Sequence, residues 1–129
     1  MAFRHPIYDD EPEALRAQIR RFCEKEILPH VESWVEAGEM PREVYKTAAE
    51  TGLLGLSFPQ KYGGSGGDIL HYCMVREELA ATGATGVRVA LIAHGIGLPP
   101  ILNLGSEAMK RRVLPEVLSG DKIAALAIS

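Results

Sequence analysis

Apolar residues recur at helical spacing in five separate segments of this chain, and glycine or proline interrupts the pattern between them. The first segment carries Leu15, Ile19, Phe22 and Ile27 on one face, with charged residues between them. The pattern predicts an all-α, antiparallel, bundle-like domain of five to six helices. The other four predicted helices begin near residues 41, 68, 87 and 106.

The last eight residues, Lys122 to Ser129, form a small-residue apolar run that is typical of a buried strand. No other segment has the pattern of a partner strand. We therefore expect a helical domain over residues 1–121, followed at 122–129 by the first strand of a β-domain whose remainder lies outside this chain.

Composition excludes several classes of partner. The formal net charge is −3, so no basic field exists to hold nucleic acid. No run approaches the ~18 apolar residues of a membrane span. Cys23 and Cys73 lie within helical patterns, lack metal-ligand spacing and are expected to be buried thiols. With no leader-like segment at the N-terminus, these features predict a cytoplasmic location.

The stretch from Tyr62 to Asp68 carries four glycines in five residues and cannot be regular helix. Glycines before a helix can cradle phosphate through their N–H groups. This loop lacks the spacing of a P-loop, however, and Asp68 at the start of the next helix would repel an anion. A structural loop is the favoured interpretation.

No catalytic or metal constellation emerges from spacing alone. The four histidines have no ligand spacing, so no metal site is expected. Glu77 and Glu78 are interpreted as a solvated helix face rather than an acid/base pair. His94 lies in a segment loosened by Gly95, Gly97, Pro99 and Pro100, where it is either a satisfied core histidine or part of a ligand-facing wall.

Four segments together resemble the N-terminal helical domain of the acyl-CoA dehydrogenases. Leu15–Phe22 with Glu26–Pro29 is similar to the family's first helix. Gly52–Gly66 (GLLGLSFPQKYGGSG) carries the most specific motif. Glu77–Ala80 (EELA) matches the end of the family's next helix, and Gly105–Gly120 (GSEAMKRRVLPEVLSG) matches the motif of a further whole helix.

The resemblance implies an FAD-dependent enzyme of fatty acid metabolism. In the family, a glutamate removes the α-proton of an acyl-CoA thioester and hydride passes to flavin. No catalytic residue is expected within this chain, which alone is expected to be inactive. Electron-transfer flavoprotein is the implied acceptor, and a homo-oligomer, dimer or tetramer, is the implied assembly.

Site residues follow from the same resemblance. The positions that match the family's acyl-pocket wall are His94, Ile96, Gly97 and Pro100. Those that match its flavin-edge strand are Leu126, Ile128 and Ser129, although an aromatic residue is common in the family where this chain has Leu126.

Two alternatives remain open at this point. One is a related flavoenzyme on the same scaffold: an acyl-CoA oxidase, a flavin monooxygenase or a nitroalkane oxidase. The other is a non-catalytic helical interaction domain.

Overall fold

The computed structural model describes residues 10–128, and within that range the chain forms five α-helical stretches, a separate 3-10 turn at Gln60–Tyr62 and no strand. The prediction of an all-α domain of five to six helices is confirmed. Asp9, predicted to help cap the first helix, and Ser129 lie outside the described residues. The α-helices are α1 (Asp10–Phe22), α2 (Val31–Ala37), α3 (Glu43–Glu50), α4 (Ile69–Ala81), α5 (Thr85–Ile92), α6 (His94–Leu104) and α7 (Glu107–Leu118).

Proline and glycine shape the first helical stretch as the sequence predicts. A π-helical turn at Cys23–Ile27 and a 3-10 turn at Leu28–His30 connect α1 to α2, and Pro29 lies within the second turn. Proline cannot donate the N–H that a continuous α-helix needs, so the hydrogen-bond pattern changes there. Gly38 ends α2 with φ +72°, a left-handed conformation that favours glycine.

The main core lies where α1 packs against α4. Ile19 and Ile27 from the first stretch meet Met74 and Leu79 of α4 there, and all four are buried. The sequence predicts an apolar stripe on α4 made of Ile69, Tyr72, Cys73, Leu79 and Ala80. This prediction is wrong in part, because Ile69, Cys73 and Ala80 are exposed. Apolar residues surround this helix on several sides, so its sequence marks no single inward face.

A smaller core joins α6, α7 and the loop before α4. Its buried members include Phe58, Tyr62, Leu98 and Leu114. The apolar spacing in α7 predicts that Met109 faces inward, but this residue is 39% exposed. It lies in the first turn of the helix, where its N–H donates to Ser106 Oγ.

A buried carboxylate links the first helix to the fourth. Glu78 is only 7% exposed and accepts hydrogen bonds from Arg16 (2.8 Å) and from two nitrogens of Arg20 (both 2.9 Å). Arg16 also donates to Glu77 at 2.9 Å. The interpretation of Glu78 as a solvated residue was therefore wrong: a carboxylate can be buried here because two guanidinium groups compensate its charge.

The helical stretch Thr85–Leu104, made of α5 and α6, is long and apolar enough to cross a membrane by length and composition alone. A core helix of a soluble protein passes the same test. Leu91 and Leu98 are buried inside the domain, although only 17% of the apolar window of this stretch is buried. The absence of a membrane span stays a prediction.

Candidate functional site

The glycine loop is structural, because its N–H groups are bonded within the protein. The N–H groups of Ser65, Gly66 and Gly67 donate to the carbonyls of residues 55, 58 and 56 at 2.9, 2.9 and 2.6 Å. A Cβ on Gly64 would lie 2.0 Å from the Phe58 carbonyl oxygen. These donors are therefore not free to cradle a phosphate.

The helix start after the loop is also occupied. As predicted, Asp68 caps α4: its Oδ1 accepts the N–H groups of Leu70 (2.9 Å) and His71 (3.1 Å). The carboxylate fills the place that an anion would take at a helix N-terminus. The N–H groups of the loop and the start of α4 are thus both occupied within the protein.

His94 is a core histidine in this structure. Its Nε2 lies 2.6 Å from the Leu54 carbonyl oxygen, and its ring is tilted against Phe58 with centroids 6.0 Å apart. Burial lowers the pKa of His94 below its ordinary value. The cavity beside it, about 20 Å³ in volume, also borders Arg76 and is too small for an acyl group.

Ile96 and Pro100 lie on an outward face of α6. Ile96 is 59% exposed, and Pro100, one helical turn later, is exposed as well. Because proline has no N–H, Pro99 and Pro100 leave the carbonyls of Gly95 and Ile96 without their usual helical donors. The helix thus presents apolar side chains on this side, as a wall against an apolar ligand would.

Gly97 lies between this outward face and the terminal segment. A Cβ at Gly97 would lie 3.4 Å from Ala124 Cβ and 3.9 Å from the Ala125 carbonyl oxygen. The position therefore faces neighbouring chain and not an open cavity.

The terminal segment presents the other predicted site residues to the surface. Residues 123–128 have no regular secondary structure, so the predicted strand stays a prediction. Leu126 is 56% exposed and Ile128 is 83% exposed, while Ala124 packs against the smaller core. The structure therefore places Gly97 beside Ala124, two residues before Leu126. His94 lies away from the outward face of α6 and borders a small cavity that Lys122, Ile123 and Ala124 also line.

Sequence reasoning missed two exposed apolar residues of the α5–α6 stretch. Val89 is 52% exposed and Leu104 is 88% exposed. At 100° per residue, Val89 lies seven positions and nearly two full turns before Ile96, on the same side of the stretch. The spacing of Val87 and Leu91 predicts an inward face for this stretch, and the same helical period places Val89 on the opposite, outward side.

A groove lies between α6 and α4, on the side of α6 opposite to Ile96 and Pro100. The groove has a volume of about 440 Å³ and is lined by Ser57, Phe58, Tyr72, Pro99 and others. Among the described residues, no three histidine, cysteine or acidic side chains come together as a metal site would require.

Comparison with known proteins decides the family. The family described as "Acyl-CoA dehydrogenase, N-terminal domain" matches this chain over residues 9–121. The chain belongs to the acyl-CoA dehydrogenase family. The resemblance of the four motifs is thereby confirmed.

Individual relatives agree with this assignment. The mouse (Mus musculus) protein named long-chain specific acyl-CoA dehydrogenase, mitochondrial, is 35% identical over 123 residues, which cover 95% of this chain and 28% of the relative. A crystal structure of a probable acyl-CoA dehydrogenase from Mycobacterium abscessus has 43% identity and a TM-score of 0.84, covering 89% of this chain and 31% of that one.

A third structure was solved with a cofactor. The acyl-CoA dehydrogenase from Bacillus anthracis, complexed with FAD, is 32% identical with a TM-score of 0.85 and covers 95% of this chain and 21% of that one. The chain thus spans less than a third of the length of each of these relatives.

Proposed function

We propose that this chain is the N-terminal part of an FAD-dependent acyl-CoA dehydrogenase that oxidises an acyl-CoA thioester between its α- and β-carbons. Family membership and the exposed apolar face of α6 support the proposal. The helical domain would end at residue 121 and a β-domain would begin at 122. A glutamate base outside this chain would remove the α-proton.

The chain's own share of the reaction is to bind and to exclude water. We infer that Ile96 and Pro100, with Val89 nearby, form one wall of the acyl pocket, because they are apolar, exposed and on one side of a helical stretch. Burying an acyl chain against them removes apolar surface from water. His94 acts behind this wall, where its bond to the Leu54 carbonyl holds the start of α6 in place.

The residues present are compatible with FAD at the end of the chain. Leu126 and Ile128 expose apolar side chains that would fit against the edge of a flavin ring. When bound, FAD supplies the hydride acceptor. Electron-transfer flavoprotein as the next acceptor, a homodimer or homotetramer as the assembly and a cytoplasmic location belong to the same proposal.

The test uses the purified product of the complete gene. We expect it to bind FAD and to be reduced by acyl-CoA under anaerobic conditions. Ile96→Trp should narrow the acyl wall and lower kcat/KM for longer acyl chains by about 10- to 200-fold relative to shorter ones. The control Val35→Trp changes an exposed residue of α2 and should leave the chain-length profile unchanged.

Three results would contradict the proposal. The purified protein could contain no flavin, or its flavin could remain oxidised when acyl-CoA is added. The dependence of kcat/KM on acyl length could also be the same in Ile96→Trp as in the control. Rapid reoxidation by dioxygen would instead assign the protein to the oxidases on the same scaffold.

A further inference from the structure

The contact between α6 and the terminal segment is set by two small residues. Gly97 has no side chain, and Ala124 has a single methyl group that lies 3.4 Å from the place of a Gly97 Cβ. Ile96, the residue before Gly97, lies on the outward face of α6. In the terminal segment, Leu126 follows Ala124 by two residues. Along the chain, the contact therefore adjoins one residue of the proposed acyl wall and lies two residues from the proposed flavin edge.

The terminal segment is anchored before it reaches this contact. Gly120 turns the chain with φ +79°, so closely that a Cβ there would lie 2.6 Å from the Tyr45 carbonyl oxygen. The Lys122 N–H then donates to the Glu116 carbonyl at 2.9 Å, and Lys122 Nζ lies 2.7 Å from the Glu116 carboxylate. Because the segment is held at Gly120 and Lys122, a larger side chain at position 97 that displaces Ala124 would also displace the residues after Ala124.

The neighbouring glycine has a different task. A Cβ at Gly95 would lie 3.1 Å from the Tyr72 hydroxyl, against α4 and not against the terminal segment. The two glycines of α6 thus allow close approach on two different sides. Close approach to the terminal segment is specific to Gly97.

We propose that Gly97 and Ala124 are positioning residues whose contact sets the distance between the acyl wall and the flavin edge, an inference that rests on the proposed function. Hydride transfer requires the reacting atoms at near-contact distance, and a displacement of about 1 Å can cost roughly 100-fold in rate. Bulk at position 97 therefore separates the acyl group from the flavin edge instead of shortening the pocket.

A positioning role of Gly97 and a role in limiting acyl-chain length would change the kinetic constants differently. A Cβ at 3.4 Å from Ala124 is in ordinary van der Waals contact, so Gly97→Ala should leave kcat nearly unchanged. The two further methyl groups of Gly97→Val should displace the segment. We expect kcat to fall by about 10- to 100-fold at every acyl length, with KM changed less than threefold.

A compensating substitution at Ala124 tests whether the effect of Gly97→Val arises at this contact. In the double variant Gly97→Val/Ala124→Gly, removal of the Ala124 methyl group makes room, and kcat should recover by at least fivefold relative to Gly97→Val alone. Gly86→Val is the matched control: it places valine at a helical glycine of α5 with no atom within 4 Å of the new Cβ, and its kcat should stay near that of the unsubstituted protein.

A second measurement reads the contact without any activity. Trypsin cleaves after lysine, and Lys122 lies at the start of the anchored segment. Cleavage there should be faster in Gly97→Val than in Gly86→Val, and Ala124→Gly should slow it again in the double variant. Equal cleavage rates in all variants would overturn the contact's role in holding the segment.

The functional outcomes are separable. A Gly97→Val defect that grows with acyl length, or no recovery in the double variant, would overturn the positioning role. If the unsubstituted protein is not reduced by acyl-CoA, the proposed function fails and the positioning role fails with it. The trypsin measurement would then still decide whether the contact holds the segment.

Discussion

Glu78→Gln should destabilise the domain strongly although it changes no apolar contact. Glu78 is 7% exposed and accepts three hydrogen bonds, one from Arg16 and two from Arg20. Loss of the negative charge at position 78 weakens the interaction with the Arg16 guanidinium, which is only 15% exposed. Breaking a buried ion pair costs about 3–5 kcal/mol, and water that reaches the half-exposed Arg20 reduces this to about 2–3 kcal/mol.

The pH dependence of this effect has a definite sign. Burial raises the pKa of Glu78, but the hydrogen bonds and charges of the two arginines outweigh it and hold the pKa below its ordinary value. The ionised carboxylate therefore contributes its stability in full above the ordinary glutamate pKa. This contribution is lost as pH falls through the lower pKa of the folded state. The difference between unsubstituted protein and Glu78→Gln should shrink accordingly below about pH 4.

Urea unfolding at pH 7 and at a series of acidic pH values measures both effects. Glu77→Gln is the matched control: Glu77 is 54% exposed, and its pair with Arg16 should be worth less than about 1 kcal/mol. Equal losses in the two variants, or a Glu78→Gln loss that stays constant down to low pH, would refute the account of a compensated buried charge.

Three further predictions concern the loop, the histidine and the thiols. Gly64→Ala places a Cβ 2.0 Å from a backbone oxygen and should unfold the domain at room temperature, whereas Gly83→Ala, with open space but φ +69°, should cost only about 1 kcal/mol by thermal unfolding. Burial lowers the pKa of His94, so stability should fall as pH drops below about 6.5, and His94→Asn should lack that slope in urea unfolding. A thiol reagent should label exposed Cys73 rapidly and Cys23 only on unfolding, since burial raises the pKa of Cys23 to about 11; equal labelling rates would contradict this.

The sequence was sufficient for the helices because their limits depend on local chemistry. Asp68 and Ser106 cap α4 and α7 through side-chain bonds to N–H groups two or three residues later, and Gly38 ends α2 in a left-handed conformation. Each of these features is decided within a few residues of the chain. They could therefore be predicted without knowledge of the tertiary fold.

Burial at single positions depends on contacts that are distant in sequence. Glu78 is buried because Arg16 and Arg20, about 60 residues earlier, approach it, and no pattern near Glu78 indicates this. Cys73 lies within an apolar helix but on the side that no neighbour covers. The sequence of a helix with apolar residues on several sides does not say which side will be covered.

In the candidate site, too, some features could be predicted from the sequence while others depend on contacts that are distant in the chain. Family resemblance located α6 and the terminal segment, and helical geometry then separated the outward Ile96 and Pro100 from the inward His94. Gly97 was assigned to the pocket wall because it matches a family position there, and the structure places Ala124 beside it. A glycine that makes space for a ligand and one that makes space for its own chain have the same sequence signature.

A crystal structure of the complete gene product with bound FAD and a non-reactive acyl-CoA analogue tests the central claim most directly. We predict that the acyl chain lies within about 4 Å of Ile96 and Pro100, the distance of apolar side-chain contact, and that Leu126 and Ile128 face the flavin ring. Gly97 should remain in contact with Ala124, between the two ligands. An acyl chain bound in the groove between α4 and α6, or a flavin remote from the terminal segment, would contradict the account.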